Sequence, residues 1–411
     1  MNAVLIRIVC ALGLTQIIGW GSLYYSVAVL AKPMADSLQC DVSWVFGAFS
    51  AALVVSGLCA PHAGRAIDRF GGRAVLAAGS VLAAASLLII ALAPALPLFI
   101  VGWLLAGAAM SATLYDAAFP ALSQLSGTRY RSALTALTLF GGLASTAFWP
   151  LAWRLHSAFD WRVALISFAA LQLFMCFPLH RWALPRAQLR TQAERDSAAL
   201  RARVAMPRSL LWLGIAFALN AFVFSAIGAH IVAALSEATA SVADAVWIAA
   251  LIGPMQVTGR IMEFVFARRV AATRVGVVTF MLTAGAMLLL WQAGAAGWVP
   301  WVFALVYGAA NGVTTIVRGN VPAELYGRED YGALMGRLAQ PSFFAKALAP
   351  VMVSLLLSGG LSYAGVALLL AVLSLLALVT YLAAIGPDRH AGEQSQVLVD
   401  TPQRSQHRGA V

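Results

Sequence analysis

Long apolar segments separated by short polar ones make up most of this chain. Twelve segments approach or exceed the roughly 20 residues that a helix needs to cross the hydrocarbon core of a bilayer. We number them spans 1 to 12, at residues 6–30, 42–62, 74–93, 97–123, 133–153, 162–179, 209–234, 244–266, 275–293, 299–322, 333–357 and 363–385. The pattern predicts an all-α membrane protein with twelve transmembrane helices. We expect the first segment to be retained as a span, because it is too long for the apolar region of a signal peptide.

A polar stretch with seven arginines separates spans 6 and 7. It divides the prediction into an N-terminal six-helix bundle (1–179), a cytoplasmic central linker (180–208) and a C-terminal six-helix bundle (209–385). The last residues, 386–411, are polar and are predicted to form a disordered cytoplasmic tail.

Composition narrows the class of protein. Apolar residues make up 61% of the chain and charged residues only 10%, whereas soluble domains are about 25% charged. The net charge of +11 does not indicate nucleic-acid binding, because the basic residues are dispersed between apolar segments. If the N-terminus is cytoplasmic, nineteen Lys and Arg residues lie in inner segments and three in outer ones, namely Lys32, Arg154 and Arg162. The positive-inside rule then predicts a bacterial inner-membrane protein with both termini cytoplasmic.

The two halves of the chain align with each other. The motif Asp116-Ala-Ala-Phe-Pro120 in span 4 matches Arg318-Gly-Asn-Val-Pro322 in span 10, 202 residues later. Parallel six-span repeats are related by an axis along the membrane normal and place a substrate site between the halves, near the midplane.

The loop between spans 2 and 3 contains Gly64, Asp68, Arg69, Gly71 and Arg73. Glycines permit a tight turn between two closely packed helices, and an acidic residue among arginines can pair across helix ends or with a helix terminus. The loop resembles the signature of the major facilitator superfamily. The resemblance implies two six-helix bundles related by pseudo-twofold symmetry that rock around a central site.

Charged residues inside spans are functional candidates, since each costs roughly 2.5 to 3.5 kcal/mol at a helix centre. The candidates are Asp116, Arg260, Glu263, Arg318 and Lys346. Helical spacing puts Gln256, Arg260 and Glu263 on one face of span 8, so Arg260 either faces a substrate or pairs with Glu263.

Arg260 after a glycine and Lys346 between alanines also resemble the oxalate:formate antiporter and monocarboxylate transporter branch of that superfamily. The segment from Gly19 to Met34 is similar to the opening of that branch. The resemblance implies that the two cations bind substrate carboxylates. Glu263 and the Arg268-Arg269 pair depart from the pattern, so the identity of the substrate does not transfer.

Asp116 and Arg318 occupy equivalent positions in the two repeats. Three interpretations remain open: they form a cytoplasmic gate pair, each pairs with a neighbouring loop, or Asp116 carries a proton. Glu263 joins this gating or coupling group. Weaker candidates for substrate lining, for which helix packing is the more common explanation, are Tyr24, Tyr115, Asn220, Gln256 and Asn311.

The sequence has neither a nucleotide-binding motif nor a pattern of metal ligands, so we expect no enzymatic activity, no cofactor and transport driven by gradients. The predicted function is secondary active transport of a small organic anion, a carboxylate, by proton coupling or exchange, in a monomer embedded in the lipid bilayer without a nucleic-acid partner. A drug or metabolite efflux pump of the same fold is the alternative. A receptor that does not transport is a third class, which the lack of a sizeable extramembrane domain disfavours.

Overall fold

A computed structural model describes residues 3–186, 207–239, 241–267 and 269–386. All regular elements in these ranges are helical, which confirms the predicted fold class. Most of the predicted linker, 187–206, and the predicted tail, 387–411, lie outside the described residues. Within the described ranges, eleven helical segments are long and apolar enough to cross a membrane: Ala3–Ser37, Val42–Phe70, Gly72–Leu92, Leu96–Ala158, Trp161–Ala183, Arg208–Thr239, Ala243–Ala267, Ala272–Trp291, Val299–Tyr326, Tyr331–Ser358 and Tyr363–Ile385.

The segment Leu96–Ala158 contains both span 4 and span 5, which explains why twelve predicted spans correspond to eleven segments. The chain turns at Gly127–Arg129, where Gly127 adopts a φ of +52° that favours glycine. The helix Tyr130–Gly141 then packs against Tyr115–Ser126.

Span 4 is interrupted in the middle of the bundle. The helix Leu96–Thr113 ends at Leu114, whose backbone is extended, and a second helix, Tyr115–Ser126, begins directly after it. The side-chain Nε2 of Gln16 donates a 2.8 Å hydrogen bond to the carbonyl of Thr113 beside the break. Broken backbone at membrane depth is tolerated where protein groups satisfy it, and this break places Tyr115 at the start of a new helix.

Span 1 contains a π-helical turn, Gly21–Tyr25, between the α-helices Ala3–Trp20 and Ser26–Ser37. The ring of Phe148 lies where a Cβ on Gly21 would be, so only glycine fits this contact. Single π turns inside helices are frequent at functional sites, and this one carries aromatic residues of the candidate site.

The two halves meet on one side of the molecule, which holds the 64–73 loop and which we call the inner side. The extensive contacts between the halves join span 2 to span 11, Tyr115–Ser126 to span 11, and Tyr130–Gly141 to spans 8 and 10. A Cβ on Gly64 would lie within 2.0 Å of the carbonyl oxygen of Gly332, so the backbones of spans 2 and 11 touch there.

On the outer side, the two halves are separated. Among the described residues, neither Ser26–Ser37 of span 1 nor Ala144–Ala158 of span 5 makes an extensive contact with the second half. The space between the halves is therefore closed on the inner side and open toward the outer side in this state.

Candidate functional site

Lys346 lies near the middle of span 11, facing the first half of the chain. Its ammonium nitrogen lies 5.9 Å from the ring centroid of Trp20 in span 1 and 5.3 Å from that of Phe343. The hydroxyl of Ser225 in span 7 donates to the main-chain carbonyl of Lys346 at 2.8 Å and ties the two helices together. Within the described residues, the ammonium group has no hydrogen bond and no ion pair.

Aromatic side chains of the first half surround this point. The ring of Trp20 lies 5.2 Å from Tyr24, 6.2 Å from Tyr25 and 5.3 Å from Tyr115, measured between centroids. Trp20, Tyr24 and Tyr25 are half-buried. Because Trp20 contacts Lys346 of the opposite half, this aromatic group faces the space between the halves and not the lipid.

Arg260 connects the two halves just below this space. Its Nε donates to the carbonyl of Gly312 in span 10 at 3.2 Å, and its Nη1 donates to the carbonyl of Thr138 in span 5 at 2.7 Å. The side chain is 5% exposed. Its remaining nitrogen, Nη2, makes no hydrogen bond within the described part of the chain. The alternative pairing of Arg260 with Glu263 is not formed.

Close packing of spans 8 and 10 positions this arginine. Cβ atoms on Gly308 and Gly312 would fall within 3 Å of the backbone of span 8, and one on Gly259 would collide with Ala309. Glycines four residues apart let two membrane helices approach closely, which brings Arg260 within reach of a carbonyl on span 10.

Tyr115 links Lys346 to Arg260. Its hydroxyl donates a long, 3.4 Å hydrogen bond to the same Thr138 carbonyl that Arg260 binds, and its ring packs on Trp20 beside Lys346. The two predicted cations therefore border the floor of one space, connected by a continuous series of contacts.

The other predicted lining residues contribute less clearly. Asn220 is 2% exposed and its Oδ1 has no partner among the described atoms. Gln256 and Asn311 are half-buried and make no side-chain hydrogen bond with the described residues. Their assignment to substrate stays a prediction.

Asp116 and Arg318 are in contact across the halves. The Nη2 of Arg318 lies 3.0 Å from Oδ1 of Asp116, and the two side chains are 18% and 7% exposed. Next to them, the hydroxyls of Tyr130 and Tyr331 both donate to the carbonyl of Gly319. This polar cluster lies on the inner side of the candidate site.

A second ion pair between the halves joins Arg131, on the helix Tyr130–Gly141, to Glu263 of span 8 at 2.9 Å. Arg131 also donates to the carbonyls of Ala267 and Val270 at the inner end of span 8, while the hydroxyl of Thr135 donates to Glu263 at 3.2 Å. Sequence reasoning missed the role of Arg131, because it looks like one more inner-loop cation and its partner is 132 residues away.

The signature loop meets the start of span 11. The carboxylate of Asp68 accepts hydrogen bonds from the backbone N–H of Gly332 at 3.0 Å and of Ala333 at 2.7 Å. A carboxylate at a helix N-terminus is favoured by the helix dipole and by the unpaired N–H groups there. Gly71 ends span 2 with a φ of +83°.

Two further residues of the loop contact the loop itself and the beginning of the predicted linker. The guanidinium of Arg69 lies over the ring of Phe70. Arg73 donates to the carbonyl of Leu184 at 3.5 Å.

The fold and the inner closure define a membrane transporter of the two-bundle type. The chain matches the Major Facilitator Superfamily over residues 9–317 and belongs to this family. No curated protein sequence matches the chain significantly.

Solved structures similar to this chain share its fold. The human organic anion transporter MFSD10 superposes with a TM-score of 0.71 at 19% identity, covering 93% of this chain and 100% of that one. The proton:xylose symporter XylE, bound to 6-bromo-6-deoxy-D-glucose, gives 0.75 at 15% identity, covering 93% and 96%. The transporter FucP in its outward conformation gives 0.73 at 15% identity, covering 92% and 99%.

Proposed function

We propose that this member of the superfamily is a secondary active transporter of a small organic anion, with a carboxylate as its charged group. It works by alternating access, coupled to protons or to a counter-anion, as a monomer in a bacterial inner membrane with both termini cytoplasmic. The observation that carries the proposal is the ammonium group of Lys346, which among the described residues has no hydrogen bond and no carboxylate within ion-pair distance.

The depth of Lys346 makes this an expensive arrangement. The residue lies 15 positions after Tyr331 and 12 before Ser358, which corresponds to roughly 22 Å and 18 Å along the helix. The ammonium group therefore cannot easily reach a headgroup region by extending its side chain. Contacts with aromatic rings stabilise a cation by about 0.5 to 2 kcal/mol, less than the roughly 2.5 to 3.5 kcal/mol that a charge costs at the centre of a membrane helix. An anionic ligand supplies the missing stabilisation.

Arg260 is the proposed second ligand. Two of its donors hold backbone carbonyls of opposite halves, and Nη2 retains donors for a carboxylate oxygen. Charge-assisted hydrogen bonds of this kind are roughly twice as strong as neutral ones. A substrate bound between Lys346 and Arg260 would thus contact the residue that joins the halves at the floor of the site.

Two ion pairs would act as the inner gate. Asp116–Arg318 and Arg131–Glu263 both bridge the halves on the inner side. Release of a substrate to that side requires the halves to part there, so both pairs must break during transport. The gate is stable only in the state in which the outer side is open.

Uptake by purified protein in liposomes tests the proposal. A panel of radiolabelled carboxylates would be measured with the wild type, Lys346→Met and Lys346→Arg. We expect Lys346→Met to weaken uptake by roughly 10- to 100-fold, which matches the 1.5 to 3 kcal/mol of a hydrogen bond to a charged group, and Lys346→Arg to retain part of it. Lys32→Met is the matched control, because this exposed lysine pairs with Asp36 on the outer side. Unchanged carboxylate uptake by Lys346→Met refutes the proposal.

A drug or metabolite efflux pump is the second candidate, favoured by the aromatic group around Trp20. Export of neutral or cationic lipophilic compounds that is insensitive to Lys346→Met would support it. The organic anion transporter among the similar structures is 19% identical and shares the fold alone, so it does not decide between the two candidates.

A further inference from the structure

Trp20 lies at the centre of the candidate site. Its ring contacts three tyrosine rings of its own half. Among the described aromatic rings of the first half, it is the one that lies within cation–π distance of the ammonium of Lys346. The ring is half-buried, so part of its surface faces the space between the halves.

The two halves contribute different chemistry at this point. The first half presents aromatic surfaces, from Trp20 just before the π turn of span 1, from Tyr24 and Tyr25 on that turn, and from Tyr115 at the break in span 4. The second half presents the cation, Lys346, on a helix held to span 7 by the Ser225 hydrogen bond. A ligand that fills the space must therefore place its charge toward one half and its body toward the other.

The geometry of the rings limits the shape of that body. The pairs around Trp20 are edge-on or tilted, with centroids 5.2 to 6.2 Å apart, in the 4.5 to 7 Å range of favourable aromatic contacts. A planar aromatic ring can extend this arrangement by an edge-on or offset contact. A puckered aliphatic ring of similar size buries comparable area but lacks the quadrupole that such contacts use.

We propose that the site takes an organic anion in which a planar aromatic ring lies next to the carboxylate, and that Trp20 is the residue that selects the ring. The aromatic body lies on the first half and the carboxylate on Lys346, so the substrate bridges the halves. This inference rests on the proposed anion transport, because it assumes that Lys346 binds the carboxylate.

The test compares three carboxylates that separate the charge from the ring. Benzoate, cyclohexanecarboxylate and acetate would be titrated calorimetrically into the full-length protein in lipid nanodiscs. We expect benzoate to bind roughly 3- to 10-fold more tightly than cyclohexanecarboxylate, because an aromatic pair is stabilised by more than the area that it buries. Acetate, which has no ring, should bind most weakly. Lys346→Met should weaken benzoate and cyclohexanecarboxylate alike.

Substitutions of Trp20 test the selecting role. Trp20→Leu should bring the ratio of the benzoate and cyclohexanecarboxylate affinities close to one, while Trp20→Phe should retain part of the preference. Trp182→Leu is the control, since this tryptophan is 65% exposed and lies near the inner end of the helical segment Trp161–Ala183. Thermal unfolding and size-exclusion profiles check folding, and if Trp20→Leu does not fold, the wild-type ratio and the Phe variant decide.

The outcomes separate the two proposals. Lys346-dependent binding with equal affinities for the two ring compounds overturns the aromatic selection and leaves anion transport standing. A preference for benzoate that survives Trp20→Leu overturns the role of Trp20. Binding that does not depend on Lys346, or no binding of any of the three carboxylates, overturns both proposals.

Discussion

The ion pair between Asp116 and Arg318 gives the most direct prediction about the inner gate. Each residue belongs to a different half, so the pair must break if the two halves part on the inner side. Reversing either charge alone, by Asp116→Arg or Arg318→Asp, places like charges together and should favour the state with the inner side open. The double reversal restores an ion pair at the same place and should recover both the closed inner side and transport.

The structure sets the size of the effect. At 3.0 Å and an effective dielectric constant of about 20, the Coulomb attraction is roughly 5 kcal/mol. Desolvation of two largely buried groups offsets much of it, so we expect a net coupling of about 1.5 to 3 kcal/mol. That corresponds to a shift of roughly 10- to 100-fold in the ratio of inner-open to inner-closed molecules.

Spin labels on the outer loops report this ratio. Ala95 and Ala295 are exposed and lie in outer loops of opposite halves. Each would be replaced by cysteine and spin-labelled in a variant that lacks the four native cysteines. Double electron–electron resonance should show the distance between the labels decreasing in each single reversal, as the outer side closes, and returning in the double reversal.

The matched control is Asp36→Asn, which removes an exposed pair with Lys32 on the outer surface. Such pairs contribute little, so the distance distribution should stay that of the wild type. If the single reversals leave the distances unchanged, or if the double reversal behaves as the sum of two damaging changes, Asp116 and Arg318 do not form a gate.

Three further predictions concern the inner closure. Gly336→Leu should prevent the inner side from closing, since even a Cβ there would collide with the carbonyl oxygen of Ala60 in span 2. The spin-label distances should then show the outer side closed. Gly228→Ala is the control and should resemble the wild type, because Gly228 has open space around it. Asp68→Asn should weaken the cap on span 11 and favour the state with the inner side open by about 1 kcal/mol. Unchanged label distances would show that this cap does not stabilise the closed inner side. Glu263→Gln should remove the charge partner of Arg131 and speed opening of the inner side, seen as faster alkylation of a cysteine introduced below the site; Glu263→Asp should be affected less, and equal rates in both variants would contradict the role of this pair.

Some contacts of the candidate site follow from the sequence. Lys346 stands out because a lone lysine in the middle of an apolar segment costs free energy wherever it lies. The contact between Asp116 and Arg318 is one of the interpretations that the alignment of the repeats offered, because residues at equivalent positions in parallel repeats lie on opposite sides of the symmetry axis; the structure selects it.

Other features leave no trace in the residue types. Leu114 breaks span 4 although it is neither glycine nor proline, and proline appears only six residues later. The partners of Arg260 are backbone carbonyls, which every residue carries, so its hydrogen bonds to Gly312 and Thr138 could not be chosen from the sequence. The same is true of Arg131, whose partner depends on how two distant helices are rotated.

The sequence by itself determined the helices, their number and the division into halves, because a bilayer imposes length and apolarity on each span separately. It also marked the costly charges. The tertiary structure decided which of those charges are paired across the halves, which one has no ion pair among the described residues and which side of the molecule is closed. These depend on the rotation and approach of helices far apart in the chain, and in this protein the approach depends on glycine contacts between backbones.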